Sequence, residues 1–420
     1  MNTSSPSSRA PADPTATGAW DVCVIGLGYV GLPTAAVLAT RGQMKICGTD
    51  TRNDVVATIN EGKIHIVEPE LDALVRASVS AGRLRAFTTP QPADAFLICV
   101  PTPFGPGHTP DLSYVEAATR ALVPVLRPGN LVVLESTSPP GTTRTLVAGI
   151  LAQAGLVAGQ DVYVAHAPER VLPGAVIREV VENDRVVGGV TPACTEVAAT
   201  FYERFVAGEV LRCTADAAEL VKLSENAFRD VNIAFANELS NVCDALDLDV
   251  WEVIKLANRH PRVNILRPGP GVGGHCIAVD PWFIIAVAPE HTPLIAAARR
   301  VNDSRPHRVV AQVRNVAERF KRPKIACLGL SYKPDIDDVR ESPAIEVVRE
   351  LAAADFGDVV AVEPHLQASP IPGVPLVGAE EALRTADIVV VLVAHRAFSR
   401  LRREWFNRPS VVDTVGLLTR

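Results

Sequence analysis

Short apolar runs alternate with amphipathic stretches over the first and the last thirds of the chain. Continuous apolar runs are typical of strands covered on both faces, and apolar residues spaced three and four apart are typical of helices. The predicted strands are Asp21–Gly26, Lys45–Thr49, Ala95–Val100, Leu131–Ser136, Val162–Ala165, Lys324–Leu330, Val359–Glu363, Ile388–Val393 and Val411–Thr414. The helices predicted between them include Leu32–Arg41, Tyr114–Leu126 and Pro343–Ala353. This alternation predicts an α/β fold with two Rossmann-like, doubly wound parallel sheets.

Strand patterns nearly vanish in the middle of the chain, between about Thr214 and Val310, where helix-forming residues dominate. Ala215–Leu246 is predicted to be one long helix. A long helix that joins two α/β units commonly supplies a dimer interface, so we expect a homodimer or a higher homo-oligomer. The predicted division is a disordered tail (1–19), an N-terminal Rossmann domain (20–213), a helical central domain (214–318) and a C-terminal Rossmann-like domain (319–420).

Length and charge narrow the classes of function. A chain of 420 residues is too long for one core, and its net charge of −6 argues against generic binding to nucleic acid or to anionic membranes. No apolar run is long enough to span a bilayer. Residues 1–19 are rich in Ser, Pro, Thr and Ala and lack the apolar segment of a secretory signal. An anionic ligand would therefore have to be bound by local basic residues.

The eight cysteines show neither a CxxC pair nor a metal-binding spacing. Cys23, Cys47, Cys99 and Cys327 lie in apolar runs and are expected to be small buried side chains. This usage suits a reducing cytoplasm and no disulfide framework, and it predicts no metal site.

A glycine-rich turn, Gly26-Leu27-Gly28-Tyr29-Val30-Gly31, follows the first predicted strand and opens a helix. Such glycines permit a tight turn and let a dinucleotide pyrophosphate approach the backbone at a helix N-terminus. Asp50 ends the next strand, where a carboxylate can hold the ribose hydroxyls and repel the extra phosphate of NADP. These features predict NAD as the cofactor, although Arg52 nearby is a residue that can accommodate that phosphate.

Two threonines follow later strands of the same sheet. Thr102 and Thr137 lie beyond predicted strand ends, where ligands bind in such sheets. Ordinary turn chemistry would also explain them, but beside the glycine-rich turn we expect both to contact the cofactor.

A polar row runs along the predicted long helix. Lys222, Asn226 and Arg229 are spaced i, i+4, i+7 and therefore share one face. A solvated face is the usual explanation for such a row, but Phe228 and Phe235 make this helix largely apolar and favour a functional site. A lysine there can act as a base, and an amide can donate to an oxyanion.

A cysteine in a glycine-rich loop is the sharpest chemical candidate. Cys276 follows Gly273 and Gly274 and precedes Asp280. A lone cysteine of this kind is more often structural, but the dinucleotide turn and the polar row favour a nucleophile.

Together these motifs resemble those of the UDP-sugar 6-dehydrogenases. The resemblance rests, in order, on GLGYVGLP, EST, PER, ELVKLSEN, the GGHC loop and SYKPDIDDVRESP, and it covers essentially the whole chain after the tail. The segments FRDVNIAFANELS, NRHPRVNIL and PGPGVGGHCIAVDPWF are similar to the UDP-N-acetyl-D-mannosamine dehydrogenase branch. UDP-glucose dehydrogenases typically carry a lysine where this chain has Val279, which argues against glucose.

The resemblance implies a reaction and a set of residues. Members of the family oxidise a sugar C6 hydroxyl to a carboxylate with two NAD, through a cysteine thiohemiacetal and thioester. It implies that Cys276 is the nucleophile, that Lys222 is a base or electrostatic catalyst, and that Asn226 is an oxyanion donor. Glu169 and Asp280 would assist proton transfer and water activation. The implied substrate contacts are Arg170, Val171, Lys222, Asn226, Arg229, His260, Arg262, Gly273 and Lys333, and Arg340 would reach the NAD pyrophosphate.

Three alternatives stay open at this point. A one-step hydroxyacid or 6-phosphogluconate-type dehydrogenase shares the Rossmann unit and a lysine but has no use for Cys276. A non-catalytic NAD sensor would not need Lys222, Asn226, Cys276 and Asp280 together. A sister specificity, for UDP-N-acetylglucosamine or UDP-glucose, depends on the shape of the cleft.

Overall fold

The computed structural model describes residues 20–66, 68–171, 174–274 and 276–419, so the predicted tail lies outside the described residues. The chain divides into two compact units. The first comprises the residues up to Pro103 together with Pro110–Lys222, and the second comprises Phe104–Thr109 and Leu223–Arg420. No helix in the described ranges is both long and apolar enough to cross a membrane.

The first unit is built on a sheet of eight strands within the described residues, in the order β3-β2-β1-β4-β5-β6-β7-β8. The strands are β1 (Trp20–Ile25), β2 (Ile46–Thr49), β3 (Leu84–Phe87), β4 (Ala93–Ile98), β5 (Leu131–Leu134), β6 (Tyr163–His166), β7 (Arg185–Gly189) and β8 (Val210–Thr214). Among these strands every neighbouring pair is parallel except β6 and β7, in which Ala165 lies opposite Gly189. The predicted parallel sheet is therefore confirmed for β1 to β6, whereas β7 and β8 run in the opposite direction, which the sequence did not reveal.

Helices cover both faces of this sheet. They are α1 (Gly31–Thr40), α2 (Asn53–Asn60), α3 (Leu71–Ser80), α4 (Ser113–Leu122), α5 (Ala148–Gln153), α6 (Val176–Glu182) and α7 (Pro192–Tyr202). Successive residues of β1 point to opposite faces, because Val22 and Val24 join one apolar cluster whereas Cys23 and Ile25 join another. This double burial explains why the strands read as continuous apolar runs.

The helix α8 (Ala215–Ala245) is close to the predicted Ala215–Leu246, and the boundary between the two units falls within it. In the second unit it is followed by α9 (Val250–Ala257), α10 (Asp280–Val287), α11 (Pro293–Asp303) and α12 (Arg305–Ala317). Among the described residues, no strand lies between β8 and Lys324, as the sequence predicted for the helical middle.

A second sheet, entirely parallel, completes the second unit in the order β10-β9-β11-β12. Its strands are β9 (Lys324–Leu328), β10 (Asp358–Val362), β11 (Ile388–Val391) and β12 (Ser410–Asp413). The helices that accompany it are α13 (Pro343–Ala353), α14 (Ala379–Thr385) and α15 (Arg396–Ser399). The fold is thus α/β, with two doubly wound sheets and a helical middle, as predicted.

Strand ends are where prediction and structure differ most. β4 spans Ala93–Ile98, whereas the predicted strand was Ala95–Val100, so the strand begins and ends two residues earlier than predicted. The strands β3, β7 and β8 had no predicted counterpart. β3 is an edge strand in which buried and exposed residues alternate. β7 ends in two glycines, a composition depleted in strands. A Cβ on Gly188 would lie 2.2 Å from the Thr214 carbonyl oxygen, so close packing requires glycine there.

Candidate active site

The glycine-rich turn between β1 and α1 has the geometry that its sequence predicts. Gly26 has φ +88°, and a Cβ there would lie 2.8 Å from the carbonyl oxygen of Cys99. A Cβ on Gly31 would lie 1.8 Å from the Gly26 oxygen, so both positions require glycine. Nothing lies within 4 Å of the Cβ position on Gly28, so its backbone is open to a ligand. Tyr29 is exposed and Val30 is the residue that precedes α1.

Asp50 is held beside this turn. Its Oδ2 accepts a hydrogen bond from the Leu27 N–H at 3.1 Å, and its Oδ1 accepts one from the Arg52 N–H at 3.0 Å. The Arg52 guanidinium instead pairs with Asp54, and both of those side chains are exposed. The turn and the carboxylate therefore fit a dinucleotide, because the helix N-terminus suits a pyrophosphate and the carboxylate suits a ribose diol.

Thr102 and Thr137 are brought together at the ends of β4 and β5. The Thr102 hydroxyl donates to the Thr137 carbonyl oxygen at 2.6 Å. The Ser136 hydroxyl donates to the Val100 carbonyl oxygen, also at 2.6 Å, so the two loops are tied twice. Both threonines lie at the sheet edge where ligands bind.

Glu169 is held in a buried ion network of the first unit. Its Oε2 accepts from the Arg185 guanidinium, and its Oε1 accepts from the Arg170 N–H at 2.8 Å. Arg185 also donates to Glu135 at 2.8 Å, and the Tyr202 hydroxyl donates to the same Glu135 oxygen. The sequence reasoning missed Glu135, Arg185 and Tyr202 as members of the site.

Cys99 belongs to this network and also packs against an apolar cluster of the first unit. It is half-buried, and its thiol donates to Glu135 at 3.3 Å, whereas Cys23, Cys47 and Cys327 are buried as predicted. Burial and the adjacent Glu135 carboxylate raise the pKa of the Cys99 thiol well above its usual value. A thiol of this kind is unreactive as a nucleophile.

His166 ends β6 in the interior of the first unit. It is fully buried, its Nδ1 lies 3.4 Å from the Thr143 hydroxyl, and its Nε2 has no hydrogen-bond partner. Burial, and then the positive charge of Arg185, lower the pKa of His166 to about 3. The imidazole is therefore neutral in the folded protein at neutral pH.

We expect His166 to make the fold sensitive to acid. In the unfolded chain the imidazole takes up a proton below about pH 6.5, whereas in the fold it resists protonation down to about pH 3. Stability is therefore lost as the pH falls through this window, by about 1.4 kcal/mol for each pH unit. Urea unfolding at pH 6.5 and 5 should show a loss about 1.6 kcal/mol smaller in His166→Gln than in the parent. The exposed His291→Gln serves as control, and equal losses in His166→Gln and the parent would contradict this expectation.

The long helix α8 places its polar and apolar residues in an unexpected way. Asn226, Asp230 and Asn237 form one buried polar face, whereas Phe228 and Phe235 are exposed. Lys222 is half-buried and Arg229 is exposed, so the predicted row borders the buried face. The reasoning that both phenylalanines bury this helix is wrong for the single chain, although the polar residues beside them do face inward.

The cysteine loop is anchored to this polar face. The Asn226 side-chain amide donates to Asp280 Oδ2 at 2.6 Å, and Asp280 is buried as the first residue of α10. The Cys276 carbonyl oxygen accepts from the Val279 and Asp280 N–H groups at 3.0 and 2.8 Å, which forms the turn that leads into α10. Cys276 is exposed, whereas the other seven cysteines are buried or half-buried. An amide donor and a carboxylate thus converge on the turn that presents a thiol.

The glycines of this loop allow close packing within the second unit. A Cβ on Gly273 would lie 2.5 Å from the Glu341 carbonyl oxygen, and one on Gly274, with φ +81°, would lie 2.8 Å from the Tyr332 ring. The Gly274 N–H donates to the Arg340 carbonyl oxygen at 3.3 Å. The loop therefore lies against the SYKPDIDDVRESP segment.

A second buried network, which the sequence reasoning also missed, supports the start of the loop. Asn237 Oδ1 accepts from the Gly269 N–H at 2.9 Å, and Asn302 bonds to both Asn237 and Asp230. Arg299 donates to Asp230 at 2.6 Å. Asp230 and Asn237 share the buried face of α8 with Asn226, and this helical spacing is the signal that could have identified them.

The remaining predicted contacts are distributed over both units. In the first unit, Arg170 and Val171 follow β6, and the Arg170 guanidinium donates to the Asp184 carbonyl oxygen. In the second unit, His260 and Arg262 are adjacent, since His260 Nδ1 accepts from the Arg262 N–H at 3.3 Å. Lys333 and Arg340 are exposed, and Arg340 pairs with Asp338 at 2.6 Å.

A cavity of about 190 Å³ opens at the carboxyl ends of β9 and β11, where a doubly wound sheet binds its ligand. Its lining is largely apolar and includes Leu392, Val393 and Tyr332, with Arg267 and Ser331 as polar members. Glu363 has the position after β10 that Asp50 has after β2, and its Oε2 accepts from the Leu330 N–H at 2.7 Å. Glu363 is buried and also bonds to His395 at 3.0 Å, so it is not exposed to a ribose as Asp50 is.

Asp335, His365 and His395 form the one group among the described residues whose ligand atoms lie close enough to share a metal ion. His395 Nδ1 already accepts from the Asp335 N–H at 2.9 Å, and Arg396 donates to the Asp335 carboxylate at 2.7 Å. His395 and Asp335 are thus already held by protein contacts, and we assign no metal to this group.

Comparison with known proteins agrees with this geometry. The chain matches three domains of the UDP-glucose/GDP-mannose dehydrogenase family: the NAD binding domain at residues 20–206, the central domain at 216–304 and the UDP binding domain at 326–420. It is 57% identical over 405 residues to the NDP-N-acetyl-D-galactosaminuronic acid dehydrogenase of Ralstonia nicotianae, covering 94% of this chain and 96% of that one. It is 52% identical to the UDP-N-acetyl-D-mannosamine dehydrogenase of Campylobacter jejuni, covering 91% and 97%.

A solved structure gives the same result. The UDP-D-ManNAc dehydrogenase of Pyrococcus horikoshii superposes with a TM-score of 0.86 at 37% identity, covering 94% of this chain and 96% of that one. Since all three domains match in order and the relatives align over nearly their whole length, the chain belongs to the UDP-glucose/GDP-mannose dehydrogenase family and is an NAD-dependent UDP-sugar dehydrogenase.

Proposed function

We propose that this protein oxidises the C6 hydroxyl of UDP-N-acetyl-D-mannosamine to UDP-N-acetyl-D-mannosaminuronate, with two NAD per product and a covalent intermediate on Cys276. The observation that carries the proposal is the Asn226–Asp280 hydrogen bond of 2.6 Å, which fixes an amide and a carboxylate on the turn that exposes the Cys276 thiol. A one-step dehydrogenase has no use for this arrangement.

The proposal gives a chemical role to Cys276 in this turn and to Lys222 and Asn226 on α8. The Cys276 sulfur adds to the C6 aldehyde as its proton passes to a base, and the former carbonyl oxygen takes up a proton, which gives a thiohemiacetal. Loss of the hydroxyl proton and of a hydride from the same carbon then gives the thioester. Lys222 of α8 is the proposed group for these proton transfers. Asn226 Nδ2 uses one hydrogen for Asp280, and its second hydrogen is available to an oxyanion. NAD, when bound, supplies the hydride acceptor.

Hydrolysis of the thioester needs an activated water. Glu169 and Asp280 are the proposed carboxylates, and both are almost completely buried. Water adds to the thioester carbon as one of them takes its proton, and the C–S bond breaks. The Cys276 sulfur then regains a proton and the uronate leaves.

The geometry of the glycine-rich turn and of Asp50 supports the proposal that the first unit binds NAD. Gly26, Gly28, Tyr29, Val30 and Gly31 would bind the pyrophosphate, and Asp50 would bind the ribose diol. Thr102, Thr137 and Arg340 are further proposed contacts. Together these assignments make residues 20–213 the NAD-binding domain.

The second sheet is proposed to bind the UDP part of the substrate. The cavity at the ends of β9 and β11 is largely apolar, which suits a uracil ring. The proposed phosphate and sugar contacts are Arg170, Val171, Lys222, Asn226, Arg229, His260, Arg262, Gly273 and Lys333. On this basis residues 214–318 form the central domain, and residues 319–420 form the UDP-sugar domain.

The sugar itself is tested with a panel of substrates. The purified protein is incubated with NAD and UDP-N-acetylmannosamine, UDP-N-acetylgalactosamine, UDP-N-acetylglucosamine or UDP-glucose, and NADH and uronate are measured. We expect the highest kcat/KM with UDP-N-acetylmannosamine and two NADH per uronate. UDP-N-acetylgalactosamine is the second candidate, because the relative at 57% identity carries a galactosaminuronic acid name. A clear preference for UDP-glucose would contradict both.

We expect NAD specificity to depend on Asp50. The Asp50 carboxylate is fixed by two backbone amides and would repel the 2′-phosphate of NADP. Asp50→Ala should raise the KM for NAD and narrow the ratio of kcat/KM for NAD over NADP. Asp54→Ala is the matched control, since it removes a nearby exposed carboxylate that pairs with Arg52. Equal use of NAD and NADP by the parent enzyme would show that this assignment is wrong.

We also propose that the protein is a homodimer. Phe228, Phe235 and Val242 lie seven residues apart along α8, and all three are exposed in the single chain. This spacing aligns them in one stripe, as in helices that pair. Light scattering should give the mass of at least two chains, and a monomer at micromolar concentration would contradict the proposal.

A further inference from the structure

The buried ion network around Glu169 contains one guanidinium and two carboxylates. Arg185 donates to Glu169 with Nη1 and to Glu135 with Nη2. All three side chains are at most 7% exposed. Because charges in such a setting are weakly screened, the position and charge of each group depend on the other two.

The reversed strand β7 is the reason that Arg185 reaches this place. Ala165 and His166 of β6 lie opposite Gly189 and Gly188 of β7. Continuing this antiparallel register beyond the end of β6 places the first residue of β7, Arg185, opposite Glu169. In a parallel strand the first residue would lie at the other edge of the sheet, away from the ligand edge.

Glu135 is fixed in turn by its own partners. The Tyr202 hydroxyl donates to Oε1 and the Cys99 thiol donates to Oε2 at 3.3 Å. The Arg185 guanidinium also lies over the Tyr202 ring, 4.9 Å from its centre. Arg185 of β7, Tyr202 of α7, Glu135 after β5 and Cys99 after β4 therefore form one connected arrangement.

We propose that Arg185 is a positioning residue for Glu169, and that Glu135 sets how much of the Arg185 charge acts on Glu169. This inference rests on the proposed role of Glu169 in activating water. A base must be ionised to accept a proton, so we expect a change in the charges around Arg185 to appear in the pH profile of turnover.

The electrostatics of Glu135 agree with this sharing. Burial raises the pKa of Glu135 most, the Arg185 charge lowers it, and the like charge of Glu169 raises it again, so that this pKa lies above its usual value. The titratable and charged groups that interact with Glu169 or with its partners Arg185 and Glu135 are Cys99, His166, Arg170 and Tyr202. His166 is neutral and Arg185 stays protonated, so Glu135 is the neighbour whose negative charge a substitution can remove.

The test is the pH profile of kcat for uronate formation in Glu135→Gln. Glutamine keeps an oxygen for Arg185 and Tyr202 but removes the competing charge, so the whole Arg185 charge then acts on Glu169. We expect the acidic limb of the profile to move to lower pH by about one unit, with the KM for NAD and UDP-sugar changed less than twofold. Glu182→Gln, which removes a charge from an exposed side chain, is the control and should keep the parent profile.

A second variant tests the opposite sign. Arg185→Gln removes the positive charge, so the acidic limb should move to higher pH and kcat should fall, whereas Arg185→Lys should restore part of both. If Arg185→Gln does not fold, the Glu135→Gln profile decides alone. An acidic limb in Glu135→Gln that coincides with the parent limb, or a uniform fall of kcat at every pH, would overturn the inference. Failure of the proposed function is separate, because the parent enzyme would then form no uronate.

Discussion

Cys276→Ala is expected to abolish sustained uronate formation while the fold and the affinity for NAD are kept. An aldehyde carbon can lose a second hydride only after a nucleophile has added to it, and no other cysteine of the chain is exposed. Cys276 lies in a turn before α10, so removing its sulfur leaves the buried Asn226–Asp280 pair in place. The loss should therefore appear in kcat and not in the thermal unfolding temperature.

Replacing Cys276 by serine tests the chemistry of the sulfur while the shape of the side chain stays nearly the same. Cys276→Ser is nearly isosteric, but a hydroxyl is far less acidic than a thiol, and its ester is harder to hydrolyse. We expect this variant to stall or to accumulate a covalent adduct that intact-protein mass spectrometry detects.

The matched control is Cys213→Ala, which removes a half-buried thiol that lies 3.7 Å from the Val187 carbonyl oxygen. It should keep normal turnover. Iodoacetamide should inactivate the parent enzyme unless UDP-sugar is present. A Cys276→Ala enzyme that still forms uronate at the normal rate, with two NADH per product, would exclude the covalent mechanism.

Lys222→Ala is expected to lower kcat by about a hundredfold or more, the usual effect of losing a positioned acid–base or electrostatic group. Lys222 lies one helical turn before Asn226, whose amide is fixed by Asp280. The KM for UDP-sugar should change much less than kcat, because the loss concerns the reacting centre.

Lys255→Ala, on an exposed position of α9, is the control for removing a lysine from the helical region. It should leave kcat within twofold of the parent value. If Lys222→Ala kept a near-normal kcat and lost only thermal stability, the lysine would have a structural role.

The glycine-rich turn and the long helix are features that could be predicted from local sequence. Gly26 has φ +88°, and a Cβ on Gly31 would lie 1.8 Å from the Gly26 carbonyl oxygen, so the turn itself requires both glycines. The helix α8 follows from residue preferences along one continuous stretch of chain. The Asp50 position follows from the strand–helix–strand pattern alone. Such features depend on short stretches of chain, so their residue patterns are visible in the sequence.

The faces of α8 could not be assigned correctly from local sequence. An apolar stripe at Phe228, Phe235 and Val242 predicts burial, yet these side chains are exposed in the single chain, while Asp230 and Asn237 are completely buried. Periodicity shows that two faces differ, but which face turns inward depends on what packs against it. Here Arg299 and Asn302 of α11 supply partners for the polar face.

The sequence by itself determined the α/β class, the dinucleotide turn with Asp50, the long helix, and the candidates Lys222, Asn226, Cys276 and Asp280. These depend on local periodicity and on motifs whose spacing is read directly. Tertiary structure alone decided that Asn226 bonds to Asp280 across 54 positions of the chain, and that Arg185 joins Glu169 to Glu135. The direction of β7 could not be predicted, because a short apolar run that ends in two glycines carries no signal for a reversed strand. It is decided by how β7 pairs with β6 and β8 in the folded sheet.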